Sequence, residues 1–146
     1  MNTKPTFLNS GFDKATGESW VIVTLNKKFY EGKSKLLEED KDNVSAFAGC
    51  RFAEMKAEIK ALRDLRRTEK EKCDECKRFV KTLECYKEFD KESKTARCVY
   101  RQLNKRIRNV NYLTELINRK REDFLIAINQ RDIVVKAIER KKAKES

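Results

Sequence analysis

The chain has 146 residues, of which 40% are charged and 39% hydrophobic, and this balance is typical of a protein with much surface for its volume. It contains one proline, Pro5, so nothing later in the chain has the strongest helix-breaking residue. No apolar run is long enough to span a bilayer, and the first residues lack the apolar core of a signal peptide. We therefore expect a cytoplasmic protein with reduced cysteines and no membrane contact.

The net charge of +11 is distributed unevenly along the chain. Residues 1–93 contain 20 basic and 18 acidic side chains, whereas residues 94–146 contain 15 basic and 6 acidic ones. Nearly all of the positive excess therefore lies in the last third of the chain. Such an asymmetry favours an acidic partner, either nucleic acid or the acidic surface of a protein.

Two extended segments near the N-terminus predict a β-hairpin. Ser19–Leu25 is rich in β-branched and aromatic residues, and Phe29–Leu37 follows it after a turn at Asn26–Lys28. Asp13–Gly17 is a second predicted turn, and Phe7-Leu8 is a candidate for a short third strand before it. Because an isolated hairpin is marginally stable in water, we expect a helix to cover its apolar face.

The first helix is predicted to follow a polar break and to run to about Phe89. Its candidate N-caps are Asp42, Asn43 and Ser45. Apolar residues then recur at alternating steps of three and four, which is coiled-coil spacing. They are Phe52, Met55, Ile59, Leu62, Cys73, Cys76, Val80 and Leu83. Arg66 and Glu69 occupy two slots of this register, so we expect them to pair with each other or with the partner helix.

A reversal is predicted at Asp90–Ser93, although one continuous helix is the alternative because no glycine or proline marks the turn. The second helix is predicted from an N-cap at Ser93 to about Lys142. Its apolar stripe is Val99, Leu103, Ile107, Val110, Leu113, Ile117, Phe124, Ile128, Val135 and Ile138. The apolar runs 124–128 and 133–135 are wide enough for the end of this helix to meet the β-hairpin.

Together these elements predict an α+β protein, mostly α, with an N-terminal β-hairpin packed on a long antiparallel helical hairpin that resembles a coiled coil. We expect a single domain over residues 1–146. It divides into a β-hairpin region at 1–40, a first helix at 42–89 and a second helix at 93–143.

One stretch, residues 32–62, carries a resemblance to a known group of proteins. The pattern is Gly32, Lys33, Ser34, Asp40, Gly49, Ala53, Lys56 and Ala57. It resembles a segment of small uncharacterised proteins of Gram-positive bacteria and their phages, in which Ala and Arg usually stand where this chain has Ser34 and Lys56. Some of those proteins resemble the strand–helix arrangement of double-stranded-RNA-binding domains. The resemblance implies a fold fragment and a phage or mobile-element setting, and it implies no activity. Packing explains the small residues directly, because Gly32, Ala53 and Ala57 allow a strand and a helix to approach closely.

The cysteines do not predict a metal site. Cys73 and Cys76 form a C-x-x-C pair, but Cys85 lies about 13 Å further along a continuous helix, too far to share one zinc ion. The chain also has no histidine. Cys73 and Cys76 occupy apolar slots of the helix, so we interpret them as core residues. Cys85 and Cys98 are predicted to lie close together across the reversal, and no cofactor or metal is expected.

Basic residues line one face of the second helix and form the candidate binding site. Arg97, Arg101, Lys105 and Arg108 recur at steps of four, four and three, and Arg119, Lys120 and Arg121 add a cluster further on. Tyr100 and Tyr112 lie near this strip and are candidates for stacking on bases, or for flanking the helix seam. The alternative interpretation is a solvated face without a partner, which is common in charge-rich coiled coils.

Catalysis finds little support, since the chain has no histidine, no phosphate-binding glycine loop and no recognisable nucleophile motif. We therefore predict a non-enzymatic binding protein, and the resemblance of residues 32–62 implies a phage or mobile-element setting for it. It is expected to dock on a host protein or nucleoprotein complex through the basic helix, in the host cytoplasm. In one version of this hypothesis, the bound protein inhibits a nucleic-acid-processing or defence system. The alternative is a structural coiled-coil homodimer or scaffold without nucleic-acid contact. Its motives are the polar slots of the register and the expectation that Leu65 and Phe79 lie exposed on the outer face.

Overall fold

The computed structural model describes residues 1–35 and 46–145. It confirms an α+β, mostly α-helical chain with the order β1 (Thr6–Asp13), β2 (Glu18–Leu25), β3 (Lys28–Lys35), α1 (Ala46–Glu84) and α2 (Lys94–Glu145). The predicted caps Asp42, Asn43 and Ser45 lie outside the described residues. The chain forms two compact units, which we call the sheet unit (1–62 and 117–146) and the turn unit (63–116).

The sheet has three antiparallel strands in the order β1-β2-β3. The predicted hairpin is formed by β2 and β3. The additional strand predicted at Phe7-Leu8 is β1, which is longer than expected and extends to Asp13. Asn26 and Lys27 both have positive φ angles, 52° and 66°, as a tight two-residue hairpin turn requires. At the other predicted turn, the Gly17 N–H donates to the Asp13 carbonyl over 2.8 Å. Gly17 has a φ of 73°, which glycine adopts without strain.

Alternation along β2 gives the sheet one buried face. Ser19, Val21, Val23 and Leu25 are buried, whereas the residues between them are partly exposed. Gly32 pairs with Val21 and lies on the same face. A Cβ atom at Gly32 would lie 1.9 Å from the carbonyl oxygen of Ala53, so β3 and α1 approach almost backbone to backbone. The close approach predicted from these small residues is therefore confirmed.

Two lysines of α1 also hold the edge strand β3. The Lys56 ammonium donates to the carbonyl of Lys33 over 2.9 Å, and the Lys60 ammonium donates to the carbonyl of Glu31 over 3.0 Å. Lysine stems lie along the helix surface while their charged ends satisfy carbonyls that an edge strand leaves without partners. The helix thus covers the sheet and satisfies part of its open edge.

The sheet unit also contains the end of α2. The rings of Phe52 and Phe124 pack edge to face, with their centroids 6.1 Å apart. The guanidinium carbon of Arg131 lies over the Phe52 ring, 5.6 Å from its centroid. One and a half turns along α1, Glu58 accepts a 2.6 Å charged hydrogen bond from Lys120. Residue numbers rise along α1 as they fall along α2, so the two helices are antiparallel here.

The turn unit confirms the reversal and rules out one continuous helix. Helix α1 ends at Glu84, earlier than the predicted Phe89, and α2 begins at Lys94. Ser93 is the predicted N-cap of α2, and its hydroxyl accepts the Ala96 N–H over 3.1 Å. The interior of this unit contains Cys73, Val80, Ala96 and Leu113.

Candidate binding surface on the second helix

Two opposite faces of α2 have different roles in the turn unit. Leu113 is fully buried, and Leu103 and Val110 are half-buried on the same side. All four members of the predicted basic set are exposed on the other side: Arg97, Arg101, Lys105 and Arg108. At 3.6 residues per turn these four positions fall within about 80° of the helix circumference. We call them the basic face.

The basic face has no acidic counterpart on its own helix. No Asp or Glu occurs three or four positions before or after any of its members. Among the described residues, none of the four side chains makes an ion pair. Helix α1 is different, because three of its basic residues pair with acidic ones a turn away, in Arg51–Glu54, Arg67–Asp64 and Lys72–Glu69.

A fifth basic residue of this segment, Arg106, points inward. Its guanidinium lies 3.3 Å from the carboxylate of Glu69, which is only 5% exposed. Asn109 and Lys72 complete the surroundings of that carboxylate. Glu69 therefore pairs with the partner helix, one of the two predicted outcomes, whereas Arg66 makes no ion pair with the described residues. Arg106 was missed in the sequence analysis, although its place beside Ile107 of the apolar stripe is a signal for it.

The two tyrosines near the basic face have different surroundings. Tyr112 is 46% exposed and lies one turn beyond Arg108 on the same side of α2. Tyr100 donates its hydroxyl to Glu84 over 2.7 Å, and its ring lies 6.4 Å from that of Phe89. That hydrogen bond to a carboxylate raises the pKa of Tyr100 above its ordinary value of 10.0. Tyr112 is thus open to a ligand, while Tyr100 joins the end of α1 to the start of α2.

The second predicted basic cluster, Arg119 to Arg121, belongs to the sheet unit and has a partly structural role. Lys120 is engaged with Glu58 of α1, whereas Arg119 and Arg121 are exposed. Glu58 lies beside a second carboxylate, that of Glu54. Burial raises the pKa of Glu54 above 4.5, and the neighbouring charge of Glu58 raises it further.

All five cysteines are free thiols. Cys73 is buried and Cys76 half-buried, which fits their interpretation as core residues, and Cys85 and Cys98 are exposed. Within residues 1–35 and 46–145, no group of His, Cys, Asp or Glu side chains is arranged to hold a metal ion.

The fold and this surface define a small α+β protein that presents a basic face on a helix. No protein family, curated protein or solved structure matches the chain. The resemblance of residues 32–62 to small phage and bacterial proteins therefore stays a prediction. Neither described helix has an apolar stretch of the length needed to cross a membrane.

Proposed function

We propose that this protein is a non-enzymatic binding protein that docks on an acidic protein surface or nucleoprotein complex through the basic face of α2. The observation that carries the proposal is the exposure of Arg97, Arg101, Lys105 and Arg108 on one face without an acidic partner among the described residues.

The unpaired charges of the basic face have a cost in helix stability. Arg97 and Arg101, and then Arg101 and Lys105, are like charges one turn apart, and each such pair destabilises a helix by about 0.2–0.5 kcal/mol. Stability alone would favour an acidic residue at one of these positions, as on α1. A partner with negative charge converts the same repulsion into attraction, which is a reason for the chain to hold this arrangement.

The arrangement also suits a densely charged partner. From Arg97 to Arg108 the helix advances about 16 Å, so the four charges lie along a short strip. Duplex DNA has one phosphate charge per about 1.7 Å of its axis, so several phosphates lie within reach of such a strip. Tyr112, exposed beside Arg108, adds an aromatic ring that stacks on a base or packs at the rim of a protein interface.

A phage or mobile-element setting, as the resemblance of residues 32–62 implies, gives the proposal a specific form. In that form the basic face binds a host complex that processes nucleic acid, and it inhibits replication or defence by occupying an acidic surface or the nucleic acid bound there.

Fluorescence anisotropy with three labelled probes tests the electrostatic part of the proposal. The probes are a DNA duplex, an RNA hairpin and a glutamate-rich peptide. If the four basic side chains all contact duplex phosphates, the logarithm of the affinity falls with the logarithm of salt concentration at a slope of about −3.6. That slope weakens binding about 150-fold between 50 and 200 mM salt. Failure to bind any probe at low salt contradicts the proposal.

Capture from host lysate then distinguishes a protein partner from a nucleoprotein partner. The immobilised protein is incubated with lysate that has been treated with nuclease or left untreated. We expect a protein partner to remain after nuclease treatment and a nucleoprotein partner to be lost. In both cases, a variant with the four basic residues changed to glutamate should retain nothing.

A further inference from the structure

The end of α2 in the sheet unit has an apolar surface that its own chain does not cover. Leu125, Ile126 and Ile133 are 63%, 57% and 60% exposed. These side chains belong to the apolar runs 124–128 and 133–135, which we expected to meet the β-hairpin. Phe124 turns inward onto Phe52, whereas these three remain at the surface. Clustered exposed apolar side chains on a helix indicate an interaction surface.

Six positions of α2 in this region have the spacing of a coiled-coil seam. Counting from Glu122 in alternate steps of four and three residues gives one stripe along the helix, on the side opposite Phe124. Its members are all exposed: Glu122, Ile126, Asn129, Ile133, Lys136 and Arg140. The stripe is acidic at its start, has Ile126 and Ile133 on either side of Asn129 in its middle, and is basic at its end. We call it the outer stripe.

This order of charges is complementary to itself when a second copy runs in the opposite direction. Antiparallel pairing places Glu122 opposite Arg140 of the other copy, and Asn129 opposite Ile133. Ile126 then meets the Lys136 side chain, whose methylene stem covers apolar surface while its ammonium reaches water. Parallel pairing instead opposes Glu122 to Glu122 and Arg140 to Arg140. From this complementarity we infer that the protein forms an antiparallel homodimer through the outer stripe of α2.

The charged members of the outer stripe are available for such pairing. Glu122, Lys136 and Arg140 make no ion pair with the described part of their own chain. The apolar area is small, because a standard interface buries about 800 Å² on each partner, and the two isoleucines of the outer stripe supply less than that. The dimer should therefore dissociate in a concentration-dependent way. The inference is independent of the proposed function, since the outer stripe and the basic face share no residue.

Sedimentation equilibrium of the full chain, over roughly 1–200 µM, tests the dimer. The wild type should change from monomer to dimer within this range. Ile133→Lys should weaken association at least tenfold, and circular dichroism should be unchanged because the side chain is exposed. Tyr86→Lys is the matched control, since it removes a similarly exposed large side chain from the turn unit. A wild type that stays monomeric, or a dimer that Ile133→Lys leaves intact, overturns the inference.

Charge exchange tests the antiparallel direction. Glu122→Arg and Arg140→Glu should each weaken the dimer several-fold by opposing like charges, and the two together should restore it. Lys142→Glu, which makes the same charge change on the other side of α2, should have little effect. If the double exchange remains as weak as the single variants, the antiparallel arrangement is wrong. The variant with a reversed basic face should dimerise like the wild type, so failure of the proposed function is distinguishable from failure of the dimer.

Discussion

The guanidinium of Arg106 and the buried carboxylate of Glu69 lie 3.3 Å apart, one on each helix of the turn unit. The two partners differ in their access to water, because the Arg106 side chain is 29% exposed and that of Glu69 is 7% exposed. This ion pair fixes which residues of α1 and α2 lie side by side, and it leaves the other basic residues of the segment facing outward.

The two partners of this pair should respond unequally to removal. Arg106→Leu leaves the Glu69 carboxylate buried, with Lys72 and Asn109 as its remaining partners among the described residues. We expect this variant to lower the free energy of unfolding by about 2–3 kcal/mol. Glu69→Leu leaves an arginine that can extend into water, so its cost should be below about 1 kcal/mol. Urea denaturation monitored by circular dichroism measures both changes.

The double variant provides the control for that comparison. Leucine at both positions replaces the pair by apolar contacts, and stability should return to the wild-type value or exceed it. Equal losses for the two single variants, or a double variant less stable than Arg106→Leu, would show that the buried carboxylate is not the cause.

Gly32 should be the most sensitive glycine of the sheet. In Gly32→Ala the new methyl group would lie 1.9 Å from the backbone oxygen of Ala53, so β3 must move away from α1. We expect thermal denaturation to show a loss of about 3 kcal/mol or more. Gly11→Ala is the control, because its clash is with the Trp20 side chain, which is partly exposed and can rotate. It should cost about 1 kcal/mol. Equal effects would contradict the close strand–helix approach.

Glu54 should make stability depend on pH. Its pKa in the folded protein is raised above 4.5 by burial and by Glu58, so the folded state binds its proton more tightly than the unfolded state does. Stability from this group is therefore highest below about pH 4.5 and is lost as the pH rises through the raised pKa. Glu54→Gln should stabilise the protein at pH 7, and this gain should disappear at low pH.

Urea denaturation at several pH values checks the Glu54 prediction. Glu75→Gln is the control, because Glu75 is exposed and makes no ion pair with the described residues. Its effect should be small at every pH. If Glu54→Gln destabilises the protein at pH 7, the Arg51 and Lys120 charges near Glu54 outweigh its burial, and the prediction is wrong.

Local patterns in the sequence predicted most of the fold. The three- and four-residue steps of α1 identified residues that are buried or half-buried, among them Leu62, Cys73 and Val80. Ser93 was identifiable as an N-cap, and Gly32 as a point of close approach, because each position has a local chemical requirement. The early end of α1 was not predictable, since residues 85–89 contain no strong helix breaker.

The basic face could be located from sequence, but the partner of Arg106 could not. Helical spacing alone puts Arg97, Arg101 and Lys105 on one side of α2 and Arg106 on the other. That Arg106 meets Glu69 there depends on the position of the partner helix, which is a tertiary contact. The exposure of Ile126 and Ile133 could not be predicted for the same reason. It depends on which side of α2 packs against α1, and the contact of Phe124 with Phe52 shows that this is the opposite side.

Charge reversal of the basic face with a matched control is the most direct test that this face binds the partner. One variant changes Arg97, Arg101, Lys105 and Arg108 to glutamate. The control makes the same change in net charge at exposed residues of α1, namely Lys70, Lys77, Arg78 and Lys81. We predict that affinity for the best acidic probe falls at least 100-fold in the first variant and changes less than about threefold in the control. Equal losses in the two variants would mean that net charge alone drives binding, and unchanged affinity in the first would contradict a binding role for the basic face.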